Sequence, residues 1–117
     1  MTDRIMLDIE TLGTEPGCAI IAIGGCRFDT RHVGRTFAAS VDLQSNGDVG
    51  LEIDHETLSW WLSQSDQARE QLTDGVFLSE ALDRLSAFVE NADEIWANSP
   101  TFDCEILAAG YDALGKD

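Results

Sequence analysis

The six residues Ile5 to Glu10, IMLDIE, constrain this chain more than any other stretch. The run is apolar apart from its two acids. A strand sends alternate side chains to opposite faces, so Asp8 and Glu10 share one face while Leu7 and Ile9 point to the other. Two carboxylates side by side repel, and at the end of an otherwise apolar strand they are unfavourable unless water solvates them or cations neutralise them. Hard divalent ions such as magnesium favour oxygen ligands of this kind. The spacing by itself leaves two readings open, a solvated strand end and a metal site.

The pattern downstream supplies partners for that strand. Thr14-Glu15-Pro16-Gly17 carries turn chemistry. Ala19 to Phe28 is rich in β-branched residues, and Arg35 to Val41 follows a short polar link through Thr30-Arg31-His32, which predicts three consecutive antiparallel strands. Gln44 to Glu52, centred on Ser45-Asn46-Gly47-Asp48, has loop composition. From His55 the period becomes helical, predicting one helix from about His55 to Leu72 and a second through Leu78, Ala81, Leu82, Leu85, Phe88 and Val89. A short strand, Glu94 to Ala97, comes next. Asn98-Ser99-Pro100 then turns the chain into a last helix from roughly Phe102 to Leu114, with Gly115 as its stop. The order is β-β-β-α-α-β-α, without internal repeats.

Composition limits the classes further. The 117 residues suffice for one core, and with 44% hydrophobic residues spread along the whole length they are read as a single domain, 1–117. The longest apolar run after the first strand, Ala19 to Cys26, contains two glycines and falls far short of the roughly 20 residues that span a bilayer. The N-terminal residues do not resemble a signal peptide. A soluble cytoplasmic protein with no membrane partner is expected. Cys18, Cys26 and Cys104 cannot all pair and are expected as buried free thiols. Seven basic residues against 22 acidic ones give a net charge of −15, and Lys occurs only at Lys116. The acidity fits a halophilic source or an ordinary acidic protein, and either would need cations, a basic patch or high salt to handle nucleic acid.

A third acid stands apart from the first two. Asp103 falls in the first turn of the last helix, where a carboxylate is favoured by the helix dipole, so alone it reads as a capping acid. In this element order, however, an acidic pair on the first strand and an aspartate opening the helix after the fourth can converge. The run MLDIETLGTEP, Met6 to Pro16, resembles the first motif of the DEDD 3′-5′ exonucleases, and WANSPTFDCEIL, Trp96 to Leu107, resembles their second. Thr57-Leu58-Ser59-Trp60-Trp61 is similar to a helix start of the ribonuclease T-like branch, which includes the phage exonuclease A type and a mycobacterial exoribonuclease group.

That resemblance implies an α/β, RNase H-like fold: a mixed sheet of three antiparallel strands, then helices and a parallel strand. It implies a metal-dependent 3′-5′ exonuclease, a hydrolase of phosphodiester bonds at the 3′ end of single-stranded nucleic acid or 3′ overhangs, RNA or DNA. Asp8, Glu10 and Asp103 would be catalytic residues and ligands to two divalent ions, Mg²⁺ or Mn²⁺. Thr11 and Leu12 would touch the terminal nucleotide, Leu12 by wedging against its base; a turn-capping Thr11 and a packed Leu12 are the alternative. Trp60 and Trp61 point about 100° apart on a helix. Trp61 shares the Leu58–Leu62 face and is expected in the core, leaving Trp60 as the exposed ring, either a stacking platform for a base or simple surface packing.

The family's third motif, with a fourth aspartate and a general base, has no counterpart in the 14 residues after Asp103. His32 and His55 precede the second motif, and Asp112 lies about 13 Å from Asp103 along the helix. The expectation is a domain lacking its C-terminal strand and helix. Its uncovered sheet edge could associate with a second copy or another subunit. A catalytically incomplete RNase H-like module that binds nucleic acid or protein is the alternative reading.

Overall fold

The computed structural model describes residues 3–70, 72 and 75–115. Four strands, β1 (Arg4–Thr11), β2 (Ile20–Phe28), β3 (Val33–Ser40) and β4 (Glu94–Ala97), form one sheet in the order β3-β2-β1-β4. β2 runs antiparallel to both β1 and β3, and β4 lies parallel to β1. The helices are α1 (Leu43–Asp48), α2 (His55–Leu62), α3 (Asp66–Glu70), α4 (Leu78–Val89) and α5 (Pro100–Ala113). None of the described helices is long and apolar enough to cross a membrane.

Two apolar clusters hold these elements together. In the larger, Ile5, Leu7 and Ile9 of β1 pack with Leu78, Leu82, Leu85 and Phe88 of α4 and with Ile106 and Leu107 of α5. Each such side chain, once enclosed, contributes roughly 1.5–3 kcal/mol. The helical stripe of α4 and the alternation of β1 therefore meet on one face of the sheet, and Asp8 and Glu10 are left on the other. The smaller cluster joins Leu12, Ala19, Ile21 and Trp61, with Leu43, Leu58, Ala68 and Leu72 packed against it. It sits where β1 ends. The β1–β2 register shifts between Glu10 and Thr11, Glu10 facing Ala22 and Thr11 facing Ile20. The extra residue is Ile21, and Ile20 and Ile21, adjacent on β2 and so on opposite faces, serve different clusters.

Two segments differ from the sequence expectation. Gln44 to Glu52 is not wholly loop, because Asp42 caps the short α1 by accepting from the Ser45 N–H at 2.9 Å. The fully buried Asn46 side chain then accepts from Ile20 N–H and donates to Ile20 O, both at 2.9 Å, standing in for a neighbouring strand. Composition reads Asn as a local turn former, whereas here its partners lie far away in the chain. The single helix expected over His55 to Leu72 is broken after Leu62. Ser63 Oγ and Gln64 Nε2 both donate to Trp60 O, at 2.6 and 3.0 Å, and the Ser65 hydroxyl accepts from Ala68 N–H at 3.3 Å. Side chains that compete for helix carbonyls end helices. Beyond α3, Leu72 lies in a turn, while Gln71 falls outside the described residues. Gly115, the expected stop of the last helix, takes a left-handed φ of 71°, and Asn91, just beyond α4, takes one of 65°.

Candidate metal centre

β1 delivers Asp8 and Glu10 to a place its neighbours leave open. Pairing with β4 covers Arg4 through Leu7 only, Leu7 facing Ala97. β4 thus ends one residue short of Asp8, and Asn98 and Ser99 lead directly into α5, whose first turn arrives beside the acidic pair. Asp103 N–H donates to Ser99 O at 2.9 Å, and the residue is only 6% exposed. Asp8 and Glu10 are exposed.

The electrostatics tie the three together. Loss of hydration and then the Asp8 charge raise the Glu10 carboxyl above its ordinary value, and the same two causes in the same order raise Asp103. Asp8 is thus the shared neighbour of both. None of the ion pairs among the described residues includes any of the three, and no described donor hydrogen-bonds to their carboxylates. Among the described residues no three His, Cys, Asp or Glu side chains are drawn into a closed set able to hold a metal ion. The carboxylates share the field of Asp8 without having closed on one point. In donor chemistry they suit a hard divalent ion, which prefers carboxylate oxygens and is the kind of charge the protein does not supply.

Beside the pair runs a trough of about 360 Å³ lined by Asp8, Glu10, Ala22, Gly24, Ala38 and Ser40, together with Ile23 and Ala39. The register explains it: Asp8 faces Gly24 and Glu10 faces Ala22, while Gly24 faces Ala38 and Ala22 faces Ser40. Small residues on β2 and β3 leave room above the acids. Sequence patterning gave no hint of this, since these small residues come from two strands and the acids from a third.

The other expected site residues divide. Trp60 is 56% exposed and Trp61 is 5% exposed, their rings edge to face at 5.3 Å. Leu12, by contrast, is completely enclosed in the smaller cluster, so it presents no surface to a base and the wedge expectation is corrected to a packed residue. It is buried because Leu12 N–H donates to Ala19 O and Leu12 O accepts from Asp54 N–H, which draws the chain inward beneath α2. Thr11 is 9% exposed and its hydroxyl donates to Gly13 O at 2.7 Å, the turn-capping alternative. Of the three cysteines only Cys18 is buried; Cys26 is intermediate and Cys104 exposed, so burial was over-predicted for two. His32 lies beside Asp29 on the β2–β3 link, and His55 opens α2.

No curated protein matches the chain. Among solved structures, E. coli exonuclease I in complex with an oligonucleotide superposes with a TM-score of 0.73 at 15% identity, covering 100% of this chain and 25% of that one. The zinc-bound form of the E. coli exonuclease I–ssDNA complex gives 0.74 at 15% identity, with 100% and 25% coverage. Exonuclease I from Methylocaldum szegediense gives 0.71 at 17% identity, with 95% and 23% coverage. The chain therefore spans about a quarter of the length of these proteins and shares their fold, the RNase H-like arrangement that the resemblance implied. Residues 3–117 match the model of the Rv2179c-like 3′-5′ exoribonuclease domain. With nearly its whole length matched, the chain belongs to the Rv2179c-like 3′-5′ exoribonuclease domain family.

Proposed function

We propose that this domain is a metal-dependent 3′-5′ exonuclease acting on the 3′ end of single-stranded nucleic acid, with Asp8, Glu10 and Asp103 as the metal-holding carboxylates. The observation that carries the reading is the arrival of Asp103, in the first turn of α5, beside Asp8 and Glu10 at the end of β1, where no described residue supplies a cation or a donor and where burial first and the Asp8 charge second raise Glu10 and Asp103. A divalent ion, Mg²⁺ or Mn²⁺, would supply activation of water and neutralisation of charge on the scissile phosphate, and a second ion would complete a two-metal arrangement. Asp8, adjacent to both other acids, is suited to bridge. Glu10 lies next to the trough and orients the terminal nucleotide's sugar end, while the small floor residues admit the backbone. The exposed Trp60 offers a face on which a base can stack, worth about 1–3 kcal/mol. Support for nucleic acid as the substrate comes from the family and from the oligonucleotide complexes of exonuclease I.

A second reading has its own observation: neither His32 nor His55 lies at the carboxylates, so no described histidine serves as general base there. The domain would then bind a 3′ end without cleaving it. One experiment addresses both. An end-labelled single strand, RNA and DNA in separate reactions, is incubated with the purified chain and Mg²⁺ or Mn²⁺, alongside Asp8→Ala. Stepwise removal of 3′ nucleotides that Asp8→Ala abolishes is the expected result. Retention of the intact strand, lost in Asp8→Ala, would favour the binding module; cleavage indifferent to Asp8→Ala would overturn the carboxylate assignment.

A further inference from the structure

Ile20, which faces Thr11 across the register shift, gives its N–H and C=O to the Asn46 side chain, so the Thr11 carbonyl finds its donor elsewhere. It finds the indole of Trp61, whose Nε1–H donates to Thr11 O at 3.1 Å inside the smaller cluster. The other members of that cluster, Leu12, Ala19 and Ile21, are apolar. A Phe would fill most of the space; only the indole adds a donor. A second bond runs between the same two elements: Asp54 N–H donates to Leu12 O at 2.7 Å, and Asp54 caps α2 by accepting from Thr57 N–H and Oγ1–H at 2.9 and 2.8 Å. α2 is thus fastened to the two residues that directly follow Glu10, once through its cap and once through its buried aromatic side chain.

Resting on the reading of Asp8, Glu10 and Asp103 as the metal-holding set, we infer that Trp61 is a positioning residue for that set, its indole N–H fixing the backbone that carries Glu10. The reason is steric and electrostatic together. Asp8 and Glu10 are like charges two residues apart on one face of β1, and Asp103 in the first turn of α5 adds a third of the same sign. A strand end free to yield to that repulsion would splay the carboxylates, whereas one pinned at the next peptide cannot. Groups that hold ligands in place from behind typically change metal affinity or activity 10–100-fold when removed.

The test uses the whole chain and separates positioning from packing. Trp61→Phe deletes the N–H and keeps an aromatic ring, and Leu58→Ala loosens the same cluster without touching the bond. Mn²⁺ binding is read by calorimetry, melting by circular dichroism, and kcat and KM on the end-labelled strand. Trp61→Phe should weaken Mn²⁺ binding about tenfold and lower kcat with little change in KM. Leu58→Ala should lower the melting temperature while Mn²⁺ binding stays as in the parent chain. Equal Mn²⁺ affinity for Trp61→Phe and the parent, or losses in both variants that merely track melting, would overturn the inference. A measurement that needs no Trp61 variant backs this up: the ¹⁵N–¹H indole resonance of Trp61 should shift as Mg²⁺ is added, and Asp8→Ala should remove the shift. The exposed Trp60 and Trp96 indoles serve as references. A Trp61 resonance blind to Mg²⁺ in a chain that binds Mn²⁺ sinks the positioning role alone. A chain that binds no Mn²⁺ sinks the metal-site reading with it.

Discussion

At the start of β1, Arg4 Nε lies 2.7 Å from a Glu94 carboxylate oxygen across the parallel ladder and its guanidinium sits 5.7 Å from the Trp96 ring. At the end of the same strand, on the same face, Asp8 and Glu10 meet a third acid and no cation among the described residues. One strand thus carries two polar ends with opposite bookkeeping. Where the protein supplies both charges, as at Arg4 and Glu94, the Glu94 carboxyl is held below its ordinary value by its bond to Arg4. Where it supplies one sign only, two carboxyls are raised, by burial first and by the Asp8 charge second. The difference teaches that β1 was not simply tolerant of charge: its acids sit uncompensated at the one end where β4 stops, a trough opens and α5 begins.

The strongest way to break that contrast is to neutralise one acid from each end. Asp8→Asn should cut 3′ nucleotide removal by about 10²–10³-fold, the cost typical of losing a central electrostatic group. Glu94→Gln should leave it within twofold of the parent, because an exposed ion pair contributes little and this one takes no part in lining the trough. Equal losses in time courses on the end-labelled strand would erase the distinction between the ends.

A second test fills the trough and leaves the charges alone. A Cβ built on Gly24 would meet only the Asp8 and Phe37 carbonyl oxygens, at 4.0 Å each, so the backbone can accept Gly24→Val. The variant should melt no lower than the parent, since valine suits a strand better than glycine. Activity should fall about 10-fold or more through displaced substrate. Loss of melting temperature with activity kept would mean the trough is not the substrate path.

Divalent ions should then act on one end of β1 only. At a Mg²⁺ concentration ten times its dissociation constant, mass action adds about 1.4 kcal/mol to stability, and Asp8→Asn should abolish this gain. A monovalent salt matched in ionic strength would screen the net charge of −15 in the parent and in Asp8→Asn alike. Melts in which the two salts are indistinguishable would reduce the site to general acidity.

The smallest effect concerns pH in the metal-free chain. Glu10 and Asp103 have raised folded-state values, so the stability they contribute is fully present below the ordinary carboxylate range and is lost as pH rises through their raised values. Asp29, Asp54 and Glu94 are held low by their hydrogen bonds and act oppositely, losing their contribution as pH falls below that range. Stability should therefore rise slightly from neutrality down to the upper edge of the carboxylate range and drop below it. Asp103→Asn should flatten the upper limb and raise the melting temperature at neutral pH. An upper limb unchanged in Asp103→Asn would argue that neither burial nor the Asp8 charge weighs on the Asp103 carboxyl.

Legibility followed the range of the interaction. IMLDIE declared a strand with two acids on one face, because alternation is a property of the strand itself. The stripe of α4 and the separation of Trp60 from Trp61 were readable for the same reason, each being fixed by helical geometry within a few residues. What sequence alone could not decide were meetings between distant segments. Asp103 reaches Asp8 because β4 pairs parallel to β1 and ends beside Leu7. Leu12 is enclosed, and not a wedge, because α2 folds over it; Asn46 is a buried bridge because Ile20 lacks a strand on that side. Spacing records which face a side chain takes on its own element. Which element arrives opposite that face is set by register, strand length and the direction of the next helix, and these exist only once the chain has packed.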